Sequence, residues 1–556
     1  MTVHSLHKFY ELSPYRVREV LFVSSEYDAF VLETEGQMAE RLFFKYSEFY
    51  MVGAPRISHA TNVEEALEIL ALHRVDLVVF VVRQGELVTP ALGAKLRRLY
   101  PSLPLVLLLL DVAHWRRSQI QLLSSYWSGI FLWTGELNLI VAMFNYVEDR
   151  LNVDSDTTRT GVQVIISVED TVADYSVFLP QLYAELMEQS RLLSGEGVNF
   201  AQRMLRMLAR PKILLASTYE EAQALFNKYR PYVWALVSDV RFNCANRSDP
   251  QAGFKLAEYC TKAKPELAVL LQSIDPSNGP KAQALGWHFA EKRPEVLRPA
   301  LHNFLEESLG FGDFVFRLPD RREVARAKDT FEFEKLLKVV DIRSIYYHAA
   351  NCNFSVWLRA RHYFALAEAI EKVRVEDYAH PEELRGALLA IIERNSQAEY
   401  QGKVADFSLR SSGQTQHNFF RIGGGSIGGK GRSIAFLNSR LAREDFLPSH
   451  PGLEVAIPKT VILGVDVYDR FMELNHFQRR THFQMEDEAY LRQLYTHAQL
   501  PREILPELRA AAQLLQGPIA VRSSSLLEDS QNQSCAGIYA TYVVPEMDSR
   551  SERRFE

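Results

Sequence analysis

No stretch of this 556-residue chain approaches the roughly 20 consecutive apolar residues that a membrane-spanning helix needs. The most apolar run, Leu103 to Leu110, has the length of a buried parallel strand, so no membrane is expected among the partners. The N-terminal segment MTVHSLHKFYELSPYRVREV lacks the apolar centre of a secretory signal. Cysteine is scarce: Cys244, Cys260, Cys352 and Cys535 lie far apart and form no C-x-x-C pair. That spacing argues against a zinc site or a disulfide framework and fits a reducing cytoplasm. Positive charge is not in excess either, since the net charge is -6, and nucleic acid is therefore not expected as a partner.

What the chain does have is length enough for several hydrophobic cores, so a modular organisation follows. From residue 18 short apolar runs alternate with amphipathic stretches: EVLFVSS, VEEALEILALHR, VDLVVFVV, LPLVLLLLD and GIFLW. Strands interleaved with helices predict a parallel sheet covered on both faces. A second cycle of the same order begins at Val162 and runs through VQVIISVED, PKILLAS, YEEAQALFNKYR, VWALVSDV, ELAVLLQS and WHFAEK. The expected domains are thus two tandem doubly wound α/β units, 16–152 and 160–312. Between 313 and 400 apolar residues recur at helical spacing, as in SVWLRARHYFALAEAIEKV and PEELRGALLAIIERN, which predicts a helical connector with Pro381 in the first turn of its second helix. A Ser-, Gln- and Gly-rich stretch then separates the connector from a last segment, 418–556.

Candidate chemistry gathers at the strand ends of the second unit. Glu169 and Asp170 follow one strand, Asp239 ends another and Lys292 follows the last, with Pro294 two residues on. Open α/β sheets bind ligands at this carboxyl edge. Carboxylates there can hold Mg2+, and a lysine can pair with a phosphoryl group. The pattern resembles a response-regulator receiver of flavodoxin-like fold. That resemblance implies Mg2+ binding by Glu169, Asp170 and Asp239, a phosphoacceptor at Asp239 and a phosphoryl contact from Lys292. At the position of the family's hydroxyl residue after the fourth strand, either Gln272 stands in its place or Ser273 serves. The first unit has Ser24 and Ser25 for the acidic pair, Val81 for the acceptor and Trp133 or Thr134 for the lysine. It reads as a degenerate receiver that acts by contact, including dimer contact, with Glu26 and Asp28 expected to cap the following helix.

The segment FFRIGGGSIGGKGRSIAFLNSRL sets glycines and Lys430 ahead of a helix-like run. Glycine admits close backbone approach to phosphates, a helix N-terminus offers free N–H groups, and lysine adds charge. It is not a P-loop, because the spacing and the hydroxyl residue after the lysine are missing. Downstream come IPKTVILGVDVYDRFME and GPIAVRSSSLLEDSQNQSCAGIYATYVV. This ordered set resembles the N-terminal ATP-binding domain of the pyruvate phosphate dikinase and phosphoenolpyruvate synthase family, an ATP-grasp-like α+β fold of which 418–556 would be a part. The resemblance implies ATP and Mg2+ as cofactors and phosphate contacts from Lys430 and Arg522. It further implies that Gly428, Gly429 and Gly431 shape the loop, with Ser523 and Ser524 beside it and Glu528 and Asp529 as local supports.

Together these readings predict a receiver-fused phosphotransferase that moves phosphoryl from ATP through an enzyme histidine to an acceptor such as pyruvate. A histidine kinase or small phosphodonor would serve the second receiver. The closing SERRFE reads as a helix cut in mid-course, so a longer parent protein is expected, with this chain alone inactive. The rival expectation is a non-enzymatic signalling protein whose ATP-like segment is a sensor.

Overall fold

The computed structural model describes residues 12–36, 42, 46, 54–83, 90–111, 125–194, 199–245, 247–400, 402–407, 418–441, 455, 457–477, 487–515, 517–524 and 541–545. The first apolar runs become β1 (Glu19–Val23), β2 (Arg56–Ala60), β3 (Leu77–Val82), β4 (Leu105–Leu109) and β5 (Gly129–Leu132). They form one parallel sheet in the order β2-β1-β3-β4-β5. Strands β3 and β4 are buried along their whole length, as continuous Val/Leu runs in a doubly covered parallel sheet should be. Helices α1 (Glu26–Gly36), α2 (Val63–Leu72), α3 (Pro90–Leu99) and α4 (Asn138–Thr160) alternate with these strands among the described residues.

The second cycle repeats it. Strands β6 (Val164–Val168), β7 (Lys212–Ala216), β8 (Val233–Asp239), β11 (Ala268–Ser273) and β12 (His288–Glu291) pair in the order β12-β11-β8-β6-β7, the same 2-1-3-4-5 winding of a flavodoxin-like sheet. A small antiparallel hairpin, β9 (Phe242–Cys244) and β10 (Arg247–Asp249), follows β8. The covering helices are α5 (Val172–Ser194), α6 (Phe200–Leu208), α7 (Tyr219–Tyr229), α8 (Ala252–Ala263), α9 (Asn278–Ala284) and α10 (Pro294–Ser308). One sheet face, carrying Ile165, Val237, Leu270 and Ala290, shares a core with α5, α10 and the first domain; the other packs with α7 and α8.

Two features join the receiver-like domains. Helix α5 packs on α4 and β5, and α4 packs on β7. Between α4 and β7 lies a buried ionic network: Arg210 meets Asp149 at 2.9 Å, Lys212 meets Asp156 at 2.9 Å, and Arg210 donates to the Asn145 side-chain oxygen at 2.7 Å. Tyr183 and the Ile213 amide also donate to Asp149. Such a network tolerates little change, because loss of one partner strands a buried charge.

The connector differs from expectation. It opens with an antiparallel hairpin, β13 (Phe314–Arg317) and β14 (Glu323–Ala327), before α11 (Thr330–Leu337), α12 (Ile342–Ala350), α13 (Asn353–Ala360), α14 (Phe364–Glu371) and α15 (Pro381–Tyr400). The hairpin escapes a periodicity reading because each strand is only four or five residues long and β14 is mostly exposed. Its inward Phe314 and Phe316 pack with Phe333, Phe354 and His348. His348 is buried and neutral in geometry: Nε2 accepts from the Arg317 amide at 2.7 Å and Nδ1 faces Asn353 Oδ1 at 2.9 Å.

The remaining compact unit spans mainly 393–556. It holds a parallel sheet of β15 (Ala405–Asp406), β16 (Phe419–Ile422) and β17 (Thr460–Leu463), with α16 (Gly428–Leu441), α17 (Val465–Leu474), α18 (Glu488–Thr496) and α19 (Leu505–Leu514). An antiparallel pair, β18 (Ile519–Arg522) and β19 (Thr541–Val544), follows. Among the described residues no helix is long and apolar enough to cross a membrane.

Candidate functional sites

The second receiver-like domain assembles its charged residues at the carboxyl ends of β6, β8 and β12. Glu169 directly follows β6, Asp239 is the last residue of β8, and Lys292 directly follows β12. The Lys292 ammonium sits 2.6 Å from Glu169 and 2.9 Å from Asp239. A third carboxylate, Asp174 in the first turn of α5, reaches the same ammonium at 3.3 Å. Sequence alone does not single out Asp174; its only signal is a position in the first turn of the helix that follows the acidic pair. Asp170 accepts from the Thr171 hydroxyl at 3.3 Å.

One ammonium cannot compensate two buried carboxylates in full. Burial pushes Glu169 up to about 8, against the attraction of Lys292, and Asp239 adds to the rise. Asp239 is raised as well, by burial, although Lys292 and the Val240 amide pull it down. Burial would lower the Lys292 ammonium, but the two carboxylates outweigh it and hold it above its ordinary value. The carboxylate chemistry suits a hard cation. Among the described residues, though, no three acidic, histidine or cysteine groups lie together as a ready metal cage. Lys292 stands where a cation would compete for Glu169 and Asp239.

Strand register relates the two domains residue by residue. Val23 pairs with Phe80 as Val168 pairs with Ser238, so Ser24 matches Glu169 and Val81 matches Asp239. Val81 pairs with Leu108 as Asp239 pairs with Gln272, and Leu109 with Leu132 as Ser273 with Glu291. Trp133 therefore takes the place of Lys292, and its amide bonds Leu109 as that of Lys292 bonds Ser273. The capping role assigned to Asp28 needs correction. The cap is Ser25, whose hydroxyl accepts from the Asp28 amide at 3.1 Å, while the Asp28 carboxylate pairs with Arg83 at 2.8 Å. The buried Asp28 is neutralised there, so it adds no acidic pair to the first domain.

Gln272 and Ser273 also separate. Gln272, the register partner of Asp239, is buried and its Nε2 has no hydrogen-bond partner. The Ser273 hydroxyl instead accepts from the Asp275 amide at 3.1 Å and the Asn278 side chain at 3.2 Å, closing the turn after β11.

In the last unit, β16 runs into glycines and α16 begins at Gly428, so Gly428, Gly429, Lys430 and Gly431 form the first turn of a helix rather than a loop. A helix N-terminus suits an anion, but the glycines of this turn are buried and the Gly428 amide donates to the Ser426 hydroxyl at 3.2 Å. Ser524 stitches β18 to it: its hydroxyl donates to the Ile427 carbonyl at 2.7 Å and accepts from the Gly431 amide at 2.9 Å. The approach is so close that a Cβ on Gly428 would lie 1.4 Å from the Ser524 carbonyl oxygen. Arg522, exposed at the end of β18, and Lys430 are thus carried by elements that share one seam. Ser523 lies between Arg522 and the seam residue. Two neighbouring arginines are committed elsewhere: Arg421 pairs with Asp406 at 2.6 Å, and Arg432 donates to the Ser426 hydroxyl at 3.1 Å. Glu528 and Asp529 lie outside the described residues.

Residues 425–553 match the family model of the pyruvate phosphate dikinase AMP/ATP-binding domain. No curated protein matches the chain. Two solved structures described as two-component system response regulator/GGDEF domain proteins are similar over 52% of this chain, at 15% identity and a TM-score of 0.23, covering 98% and 99% of their own lengths.

Proposed function

We propose that this chain carries the receiver-type regulatory domains and the ATP-binding segment of a phosphotransferase of the pyruvate phosphate dikinase type. The observation that carries the reading is the family-matching segment in which Lys430 and Arg522 ride on α16 and β18, joined at the Gly428–Ser524 seam. In this reading ATP lays its phosphates on the N-terminus of α16, Lys430 holds them, and Arg522 neutralises charge on the phosphoryl group in transfer. The phosphoryl group then passes to an enzyme histidine and on to an acceptor such as pyruvate. Asp239 of the second receiver accepts a regulatory phosphoryl group from a histidine kinase or a small phosphodonor. Mg2+, held by Glu169, Asp170 and Asp239, would supply charge neutralisation there. The first domain, without carboxylates at the matching positions, acts through contact.

Titration with ATP and Mg2+ tests the nucleotide half. Lys430→Ala and Arg522→Ala are each expected to weaken binding about tenfold to a hundredfold, the worth of a charge-assisted bond of roughly 1.5–3 kcal/mol. Arg421→Ala and Arg432→Ala should cost less, because their guanidinium groups are engaged by Asp406 and Ser426. Equal losses at all four positions would mean a diffuse basic surface, and the reading would fail.

A further inference from the structure

The contacts of α5 link the charged pocket of the second domain to the edge of the first. Asp174, in the first turn of α5, holds Lys292. The next two residues hold β5: the Tyr175 hydroxyl donates to the Ile130 carbonyl and its ring stacks edge-on against Phe131 at 5.8 Å, and the Ser176 hydroxyl accepts from the Leu132 amide at 2.8 Å. Strand β5 is an edge strand, and edge N–H groups need a partner from outside the sheet. The adjacent Trp133 amide bonds back to Leu109 of β4, whereas the Leu132 amide turns outward and is capped by the buried Ser176. Three successive residues on one helical turn therefore touch the pocket lysine and the neighbouring domain.

Resting on the reading of Asp239 as phosphoacceptor, we propose that Asp174 is a positioning residue that latches Lys292, and that α5 relays phosphorylation of Asp239 to strand β5 of the first domain. The Asp239 carboxylate oxygen attacks the phosphorus of an acyl phosphate; the new P–O bond forms as the carboxylate leaving group departs with the electrons of the old one. Asp239 then carries close to two negative charges and strong acceptor oxygens, which draw Lys292 inward. Of the three ion pairs on that ammonium, the one to Asp174 is the longest, and Asp174 is the most exposed partner, at 43% against 0% and 12%. It yields first, and its carboxylate is then repelled by the phosphoryl group. Movement of this turn shifts Tyr175 and Ser176, because they follow in the same helix. The first domain, which carries Ser24, Val81 and Trp133 at the matching strand positions, gains a role as the reader of its neighbour.

Amide hydrogen exchange at residue level in the full chain tests this. Treatment with acetyl phosphate and Mg2+ should speed exchange at Leu132 roughly tenfold, the loss of one hydrogen bond. Untreated Asp174→Ala should show the same acceleration, and acetyl phosphate should add nothing to it. Ser176→Ala should exchange quickly at Leu132 with or without treatment. Label on Asp239 with unchanged Leu132 exchange overturns the relay and leaves the phosphoacceptor reading standing. If no label appears, that reading falls, and Asp174→Ala decides the latch by itself: unchanged Leu132 exchange overturns it, acceleration supports it.

Discussion

Gly428→Ala is expected to abolish measurable ATP binding and to release β18 from α16. Two physical effects act together at this residue. Its φ is +71°, a left-handed conformation that costs a side-chain-bearing residue roughly 1 kcal/mol or more. Its missing Cβ would also fall 1.4 Å from the Ser524 carbonyl oxygen and 2.5 Å from its carbonyl carbon. Both atoms are backbone, so no rotamer change relieves the clash, and the strand carrying Arg522 must move away from the helix carrying Lys430. Ser524→Ala provides the graded comparison, since it removes two hydrogen bonds but leaves the seam sterically intact. Isothermal titration with ATP and Mg2+ should rank wild type, Ser524→Ala and Gly428→Ala in falling order. Wild-type affinity in Gly428→Ala would show that the seam does not position the nucleotide contacts.

The connector is expected to be acid-labile. Burial lowers His348 to about 4, and burial with the nearby Arg206 and Arg361 lowers His362 to about 3. In the unfolded chain both imidazoles take up a proton near 6.5. Between that value and about 4 the unfolded state therefore binds more protons, and stability falls as pH drops through this window. Each histidine contributes up to about 1.4 kcal/mol per pH unit. For His348 the cause is also geometric, because a proton on Nε2 would face the Arg317 amide that now donates to it. Thermal unfolding followed from pH 7 to pH 4.5 should show a smaller decline for His348→Gln, and smaller again with His362→Gln added. An unchanged decline in the double variant would place the acid sensitivity elsewhere.

The winding of both α/β domains was legible because each strand is a short, continuous apolar run, and in a doubly covered sheet burial alone writes that pattern. Strand ends were legible too, so Glu169, Asp239 and Lys292 could be named from their places after VIISV, VWALVS and HFAE. Asp174 could not be, since nothing in sequence says that a helix side chain will fold back on a lysine 118 residues away. The pairing of Asp28 with Arg83 was hidden for the same reason, and an acidic residue early in a helix reads first as a cap. The hairpin at Phe314–Ala327 is too short for a period of two to emerge. At the nucleotide segment the glycines announced close backbone approach, but not that the approaching group is the Ser524 carbonyl of a strand nearly a hundred residues on.

The proposed control of the ATP-binding segment by phosphorylation of the second receiver-like domain depends first on Asp239. Incubation with acetyl phosphate and Mg2+ followed by mass-spectrometric mapping of the acid-stable, base-labile label tests it directly. One Mg2+-dependent phosphoryl group is expected on Asp239, absent in Asp239→Asn and absent from the first domain even in Val81→Asp, whose matching positions hold Ser24, Ser25 and Trp133. Label that persists in Asp239→Asn, or that appears in the first domain, would contradict it.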